Sequence, residues 1–430
     1  MLLIKEKIKL FFSKGLFHIF TGSLLTRFVS FFASIVVVRI LTKNDYGILS
    51  YYENLYNYFF LLAGYGLVNS VVRYVVISDS IDEKFSVVHF SKVNGNIFNC
   101  FLILVGILFT LVYRHPQQFA SHRWFLVLML LFLPFQYLVN LDIRTERAFY
   151  DNKRFAIVSF LYSVSIVLFK LSGAMIWQLF GAICFPLVVH LVYSFIISLS
   201  DKKKYFSNAQ LISISSEKSK EINKYAVQYM ITNGLWAIFT LNSTFILGKT
   251  IGKPELLADY KIASVIPGLL SIISSSFGIY VSPYFAKNEN KNNYLWVRKN
   301  WSKVMILSSI AIGVTVVFLY FFAPVVIDIV FSNKYSSSYP IMRLLLISAF
   351  FDGGIRYPTS NLLASMNKIR YNMMVSVLGI ILQLILATYL VSKYSVFGIA
   401  IANIVVQIFM AVLINLLFFY YFFIKNKYKN

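Results

Sequence analysis

The sequence predicts an all-α polytopic membrane protein with twelve transmembrane helices in two six-helix lobes. Of its 430 residues, 58% are hydrophobic and 13% are charged, whereas charged residues make up about 25% of a soluble domain. Apolar runs long enough to cross a bilayer follow one another along the chain. The stretch Asn44–Ser50 is echoed by Ala258–Ser264, and Asn152-Lys153 by Asn367-Lys368, at nearly the same offset. Both pairs fall at helix junctions, so we expect two homologous halves, a common arrangement in transporters.

The first two predicted helices, Phe17–Leu41 and Gly47–Ile77, are joined by the polar turn Thr42–Tyr46. This turn is too short to hold a soluble domain, so the chain crosses the membrane and returns at once. The apolar run after the basic N-terminus is too long for a secretory signal peptide, and no small-residue cleavage site follows it. We therefore expect the first helix to be an uncleaved signal-anchor.

The remaining predicted helices continue this alternation. In the first half they are Phe85–Tyr113, Trp124–Ile143 with a kink at Pro134, Phe155–Gln178 and Gly181–Leu199. In the second half they are Lys224–Leu247, Asp259–Phe285, Tyr294–Phe322, Tyr339–Ser365, Tyr371–Val391 and Val396–Ile424. Residues 201–223 are rich in Lys and Ser and lack an apolar period, which predicts a cytoplasmic linker between an N-terminal lobe, 1–200, and a C-terminal lobe, 224–430.

The net charge of +23 comes from 40 Lys and Arg residues that fall mostly in one set of alternate loops. This asymmetry is the positive-inside pattern, so we expect both termini in the cytoplasm and the basic loops against anionic lipid headgroups. It argues against a nucleic-acid partner.

Several classes of site are excluded by what the sequence lacks. Its two cysteines, Cys100 and Cys184, lie in apolar runs and predict neither a disulfide nor a zinc site. We find no phosphate-binding glycine loop, no zinc-protease motif and no paired acids in a sizeable loop. The sequence therefore predicts a transporter rather than an enzyme, without cofactor or metal, driven by a gradient, by the membrane potential or by a downhill reaction.

Arg27 is the main candidate for a binding residue. It lies near the middle of the first predicted helix, about 15 Å from water at about 1.5 Å per residue, with no acid three or four residues away. Charged residues at this depth usually serve function, so we expect an anion contact in a water-filled cavity. The alternative is a structural arginine paired with carbonyl groups or with a carboxylate of another helix.

Two more basic residues at membrane depth are candidate anion contacts. Lys170 has no acid on its own helical face, although its long side chain could also reach the interface. Arg356 lies four residues after Asp352, beside Gly353 and Gly354, which weaken the helix as in many transport sites. That pair is either self-neutralising, or Asp352 tunes Arg356 or exchanges protons while Arg356 meets the substrate.

Glu53 is the main membrane-embedded carboxylate of the first half. It is a candidate partner for Arg27 or Arg39, or a ligand for a coupling cation. His190 is more often a satisfied buried histidine than a proton relay, and Asp142 and Arg144 are predicted to be structural.

The junctions carry a family resemblance. The run Val38–Gly47, followed by Gly64-Tyr65-Gly66-Leu67 and then Val72-Arg73-Tyr74, resembles the start of the Wzx-type polysaccharide flippases. The inner loop Arg147–Lys153 also resembles the loop after the fourth helix in that family. With the helix count and the two halves, the resemblance covers essentially the whole chain.

The resemblance implies the fold of the multidrug/oligosaccharidyl-lipid/polysaccharide (MOP) exporter superfamily, with two lobes around a central cavity. It implies an undecaprenyl-diphosphate-linked oligosaccharide, the repeat unit of O-antigen or capsule, as the substrate flipped across the bacterial inner membrane. Arg27 best matches the first-helix arginine that meets the diphosphate in such families. Sugar recognition would be spread over Tyr, Asn, Ser and Trp side chains.

Two rival functions remain open. A drug or cation exporter of the same fold should carry unpaired acids at membrane depth, and a membrane polysaccharide polymerase or ligase should carry a large outer loop. The sequence also leaves open whether protons or sodium ions drive transport, and whether other polysaccharide-assembly membrane proteins bind this one.

Overall fold

The structure, a computed structural model, describes residues 29, 31–32 and 34–425, apart from the side chains of 232, 233 and 279. These residues are almost entirely helical. Residues 34–40 form helix, and the α-helices after them are Lys43–Leu62, Leu67–Ile77, Ile81–Val112, Gln117–Ala120, Trp124–Leu131, Leu133–Ala148, Asn152–Tyr205, Ser216–Ile251, Pro254–Asn290, Tyr294–Phe331, Tyr339–Ala349, Tyr357–Ser365 and Ile369–Phe419.

Within the described residues, eight helices are long and apolar enough to cross a membrane. The two longest contain non-helical breaks, one at Trp177 and Gln178 and the other at Ser395, so each is a pair of helices. A third, Lys43–Ile77, is interrupted at Gly64 and Tyr65. The segment Tyr339–Ser365 adds another helix with an irregular middle. Each predicted helix from the second to the twelfth therefore overlaps a helix of the structure, and the all-α membrane fold is confirmed. The first, Phe17–Leu41, lies mostly outside the described residues.

The breaks in the two longest helices are tight reversals of the chain. A Cβ atom on Gly173 would lie 2.1 Å from the carbonyl oxygen of Gly181, and one on Gly398 would lie 2.1 Å from that of Leu390. Eight residues of uninterrupted helix span about 12 Å, so these contacts require the chain to fold back on itself. The same device occurs in both halves of the chain, as expected for homologous halves.

The described chain divides into two compact units. Unit 1 ends at Gly234 and unit 2 begins at Leu235, except that Pro116–Gln118 groups with unit 2. Between 201 and 223 the structure has helix up to Tyr205, a non-helical stretch over 206–215, and helix from Ser216. The linker 201–223 and the lobe boundaries around it stay predictions.

The second predicted helix begins earlier than expected and is interrupted near its middle. It begins at Lys43 rather than Gly47, because the Thr42 side chain caps it by accepting a hydrogen bond from the Asp45 backbone N–H. It is interrupted at Ala63–Gly66, where Gly64 has a φ of 56° and Gly66 a φ of 92°. Gly64 also packs against the Tyr137 ring, where a Cβ atom would approach within 2.0 Å. Glycine meets both demands, and an uninterrupted helix does not.

Two irregularities lie where proline or glycine predicted them. The fourth predicted helix breaks between Leu131 and Leu133, so Pro134 falls in the first turn of the helix Leu133–Ala148, where its missing N–H has no partner to lose. In unit 2, Phe350–Arg356 forms a π-helix around Gly353 and Gly354. Short π-helical segments often mark functional sites, and this one carries Asp352 and Arg356.

Candidate functional site

In unit 1, Lys170 and Glu53 form an ion pair between helices. The Lys170 Nζ atom lies 2.5 Å from the Glu53 Oε1 atom, although the residues are 117 positions apart. Their side chains keep 24% and 41% of their surface exposed. Lys170 has no acid beside it on its own helical face, and a neighbouring helix supplies the carboxylate that pairs with it. The sequence predicted Arg27 or Arg39 as a partner for Glu53, whereas the described residue that pairs with it is Lys170.

The Glu53–Lys170 pair lines two neighbouring cavities of about 270 and 260 Å³. Ser34 and Tyr46 contribute to the first, and Gln136 and His190 to the second. The pair is therefore accessible to a small polar ligand from within unit 1. An ammonium group carries three donors, of which Glu53 takes one, so Lys170 has donors available for an anion.

His190 is buried and makes a hydrogen bond. Its Nδ1 atom lies 2.7 Å from the Tyr162 hydroxyl oxygen, and only 7% of the residue is exposed. This agrees with the prediction of a satisfied buried histidine.

In unit 2, Arg356 is held by two groups. A terminal guanidinium nitrogen of Arg356 lies 2.6 Å from Asp352 Oδ1, and its Nε atom lies 2.7 Å from the same oxygen. Its Cζ atom lies 4.3 Å from the centre of the Trp236 ring, within the range of a cation–π contact. Only 9% of the Arg356 side chain is exposed. The sequence-predicted pairing of Asp352 with Arg356 is present, and the arginine is largely enclosed.

The π-helix fixes this pair by close backbone packing. Ser308 and Ser309 of a neighbouring helix donate hydrogen bonds to the carbonyl oxygens of Gly353 and Gly354, at 3.3 and 3.1 Å. A Cβ atom on Gly353 would lie 2.6 Å from Ser274 Oγ. The two glycines thus let two helices approach the segment that carries Asp352 and Arg356.

Asp352 and Trp236 also line a cavity of about 410 Å³ inside unit 2. Its wall is rich in hydroxyl and amide side chains. Four residues here are not among those predicted from the sequence. They are Trp236, Asn403 and Gln407 in the wall, and Gln383 beside it. A signal was available, because three of them are amides inside a strongly apolar run, Ile369–Phe419, where each needs a polar partner.

Arg27 lies outside the described residues, so its predicted role is unaffected by the geometry above. Asp142, predicted to be structural, is 1% exposed and pairs with Lys92 at 2.7 Å. It belongs to a group of ion pairs that also joins Arg154 to Glu146 and to Asp201.

The loop residue Asp151 extends this group beyond the helices. Burial disfavours its charged form, but hydrogen bonds from Lys204, Tyr205 and the Arg154 backbone N–H outweigh burial, so the pKa of Asp151 lies below its usual range. This acid caps the helix that begins at Asn152 and stays ionised at neutral pH.

Comparison with known proteins adds a family and a fold. The sequence model of a family described as "Polysaccharide biosynthesis protein" matches residues 12–289. The comparison with curated protein sequences gives no match.

Three solved structures illustrate the fold. An inward-facing multidrug resistance MATE family transporter of the MOP superfamily is similar with a TM-score of 0.79 at 13% identity, covering 94% of this chain and 96% of that one. The lipid II flippase MurJ in an inward closed conformation is similar with a TM-score of 0.71 at 13% identity, over 93% of this chain and 87% of that one. A MOP superfamily transporter from Pyrococcus furiosus has a TM-score of 0.62 at 14% identity, with 95% of each chain covered. The chain therefore belongs to the polysaccharide biosynthesis protein family and is a multi-pass membrane protein with the fold of these MOP superfamily structures.

Proposed function

We propose that this protein flips an undecaprenyl-diphosphate-linked oligosaccharide, a repeat unit of O-antigen or capsule, from the cytoplasmic to the outer face of a bacterial inner membrane. It does so by alternating access, with both termini in the cytoplasm. The observation that carries the proposal is the partly exposed Lys170 in the cavity wall of unit 1, in a chain of the polysaccharide biosynthesis family.

The chemistry of the substrate requires fixed positive charge. A lipid diphosphate cannot bring its anionic group through hydrocarbon unaided, and charge-assisted hydrogen bonds from basic side chains replace its lost hydration. In the proposal, Lys170 and Arg27 meet the diphosphate first. The phosphate oxygens compete with the Glu53 carboxylate for the ammonium group of Lys170.

This competition supplies a route to energy coupling. When the diphosphate takes Lys170, Glu53 is left without its cation in a cavity wall. In the proposal, Glu53 then takes up the coupling cation, a proton or a sodium ion, in place of the ammonium group. Asp352 plays the corresponding role in unit 2, where protonation of the acid releases Arg356 to the substrate.

A cation or drug exporter is the second candidate. The carboxylates of Glu53 and Asp352 line cavities in both units and would attract a cationic substrate. In the described residues, however, each is paired with a basic side chain, which a cationic substrate would have to displace against charge repulsion. The two functions predict opposite effects of removing Lys170, since neutralisation weakens an anion site and strengthens a cation site.

The test is rescue of cells that lack the protein. Those cells should accumulate lipid-linked oligosaccharide on the cytoplasmic face, and wild-type protein should clear it. Lys170→Gln and Arg27→Ala, at matched membrane expression, should leave at least about tenfold more intermediate than wild type, the effect of about 1.4 kcal/mol. Lys393→Gln, which removes a lysine from an exposed position, is the matched control and should rescue fully.

Two results would overturn the proposal. If the cells accumulate no lipid-linked intermediate, the protein does not flip this substrate. If Lys170→Gln rescues as well as the control, Lys170 is not a substrate contact. Drug resistance that increases in Lys170→Gln would favour the exporter.

A further inference from the structure

The cavity of about 410 Å³ in unit 2 has a wall in which uncharged polar side chains outnumber the two charged ones, Lys261 and Asp352. Its volume falls within the range of about 300–1,000 Å³ that is typical of small-molecule sites. Hydroxyl and amide side chains predominate among its polar lining residues, and Trp236 and Phe239 add aromatic surface. Its polar lining residues include Thr240, Ser243, Tyr260, Asn403 and Gln407.

A buried hydrogen-bond network holds part of this wall in place. The Gln383 amide nitrogen donates to the Phe239 carbonyl oxygen at 3.1 Å, to Ser243 Oγ at 3.0 Å and to Asn403 Oδ1 at 3.2 Å. The Asn403 amide in turn donates to the Tyr260 hydroxyl at 3.2 Å. Gln383 is fully buried, so its partners have fixed orientations before any ligand arrives.

One lining group is left unsatisfied. The Gln407 Oε1 atom is buried and has no hydrogen-bond partner among the residues that the structure describes, and only 4% of the residue is exposed. An unpaired buried acceptor costs about 1–3 kcal/mol, so its presence in a cavity wall points to a ligand that donates a hydrogen bond to it.

Trp236 adds an aromatic surface to this polar wall. It exposes 38% of its surface, lines the cavity and is held by its contacts with Arg356 and with Phe239, whose ring is 5.3 Å away. A fixed indole offers an apolar surface beside polar groups. The ligand therefore needs both an apolar face and several hydroxyl groups.

We propose that this cavity is a sugar subsite, which takes one ring of the oligosaccharide and contributes to the choice of repeat unit. A sugar ring combines hydroxyl groups, which both donate and accept hydrogen bonds, with a C–H face that packs on an aromatic ring. Gln407 Oε1 accepts from one hydroxyl, the Ser, Thr and Tyr hydroxyls pair with others, and Asp352 at the edge accepts a further one. Lys261 and Asp352 bring opposite charges to the wall, so it offers no net positive charge to the diphosphate. The assignment rests on the proposed function.

The test compares two ligands on purified protein in lipid nanodiscs. The first is the lipid-linked oligosaccharide extracted from cells that lack the protein, and the second is undecaprenyl diphosphate without sugar. Gln407→Leu and Thr240→Val should each weaken binding of the first ligand several-fold, up to about tenfold, the effect of one lost hydrogen bond. Binding of the second ligand should be unchanged. Gln210→Leu, at an exposed position outside the cavity, is the matched control.

Stability separates a binding role from a structural one. Gln407→Leu removes an unsatisfied acceptor, so its thermal midpoint should equal or exceed that of wild type while its affinity for the oligosaccharide falls. The inference is overturned if both variants bind the oligosaccharide as wild type does, or if affinity for both ligands falls in parallel. Wild-type protein that binds neither ligand would contradict the proposed function as well.

Discussion

Both units hold an ion pair beside a cavity, and the two pairs are built in different ways. In unit 1, Glu53 and Lys170 come from helices far apart in sequence, and both side chains are partly exposed. In unit 2, Asp352 and Arg356 lie four residues apart on one π-helical segment, and the arginine is 9% exposed. One pair is open to exchange with a ligand, and the other is enclosed.

This difference separates two tasks. A partly exposed pair gains little net free energy, since water competes for both charges. A diphosphate could therefore displace the carboxylate at small cost. A buried pair is strongly destabilised when one partner is removed, because the other charge is left without solvent or counter-ion. In the proposed cycle, Lys170 makes the first contact with the substrate, and Arg356 makes a contact that opens only when Asp352 is neutralised.

The largest expected effect is on stability when the enclosed pair is broken. Asp352→Asn leaves the Arg356 guanidinium buried without its carboxylate and should lower the free energy of unfolding by about 3–5 kcal/mol. Glu53→Gln in the open pair should lower it by less than about 1 kcal/mol. Thermal unfolding of the purified variants measures both, and equal effects would show that the two pairs do not differ as described.

A smaller effect should follow from crowding the π-helix. Gly353→Ala places a methyl group 2.6 Å from Ser274 Oγ and should cost about 1–3 kcal/mol. Gly354→Ala is the matched control, because its nearest new contact, Ser309 Cα at 3.4 Å, is an ordinary van der Waals distance. We expect the control to unfold at or above the wild-type temperature. A destabilised Gly354→Ala together with an unaffected Gly353→Ala would contradict the packing around this segment.

A double-mutant cycle sharpens the comparison for the open pair. Glu53→Gln, Lys170→Met and the double variant should give a coupling energy of about 0.2–1 kcal/mol from unfolding measurements. A coupling above about 3 kcal/mol would mean that the pair is closed to a competing anion. Zero coupling would mean that the two charges do not interact in the folded protein.

The smallest effect concerns the ion pair between Asp151, which caps the helix Asn152–Tyr205, and Lys204 in the last turn of that helix. The pKa of Asp151 is lowered in the folded protein, so its stabilising contribution is present above its unfolded pKa and is lost as pH falls through the folded value. At neutral pH, Asp151→Asn should therefore lower the free energy of unfolding by less than about 1 kcal/mol. The difference from wild type should vanish in acid, and thermal unfolding at several pH values measures it. Asp79→Asn, which removes a carboxylate from an exposed position, is the matched control.

The fold was largely predictable because its signals are local. Long apolar runs, the Pro134 break and the Gly353-Gly354 irregularity are all readable within one helix, and so is the spacing of Asp352 and Arg356. The pairing of Glu53 with Lys170 was not readable, since no sequence pattern says which helix brings a carboxylate to a given lysine. The unit 2 cavity was missed for the same reason. Its buried amides are visible as polar residues in an apolar run, but only the folded chain assembles Asn403, Gln383 and Ser243 into one network.

The most direct test of the proposed transport is flipping by purified protein in liposomes. Lipid-linked oligosaccharide, extracted from cells that lack the protein, is placed in both leaflets, and the fraction that a membrane-impermeant glycosidase can reach is followed with time. With wild-type protein, the account predicts that the inner-leaflet pool becomes accessible, and with Lys170→Gln that its rate falls at least about tenfold. An inner pool that stays protected with wild-type protein, under an imposed proton gradient and under a sodium gradient, would contradict the account.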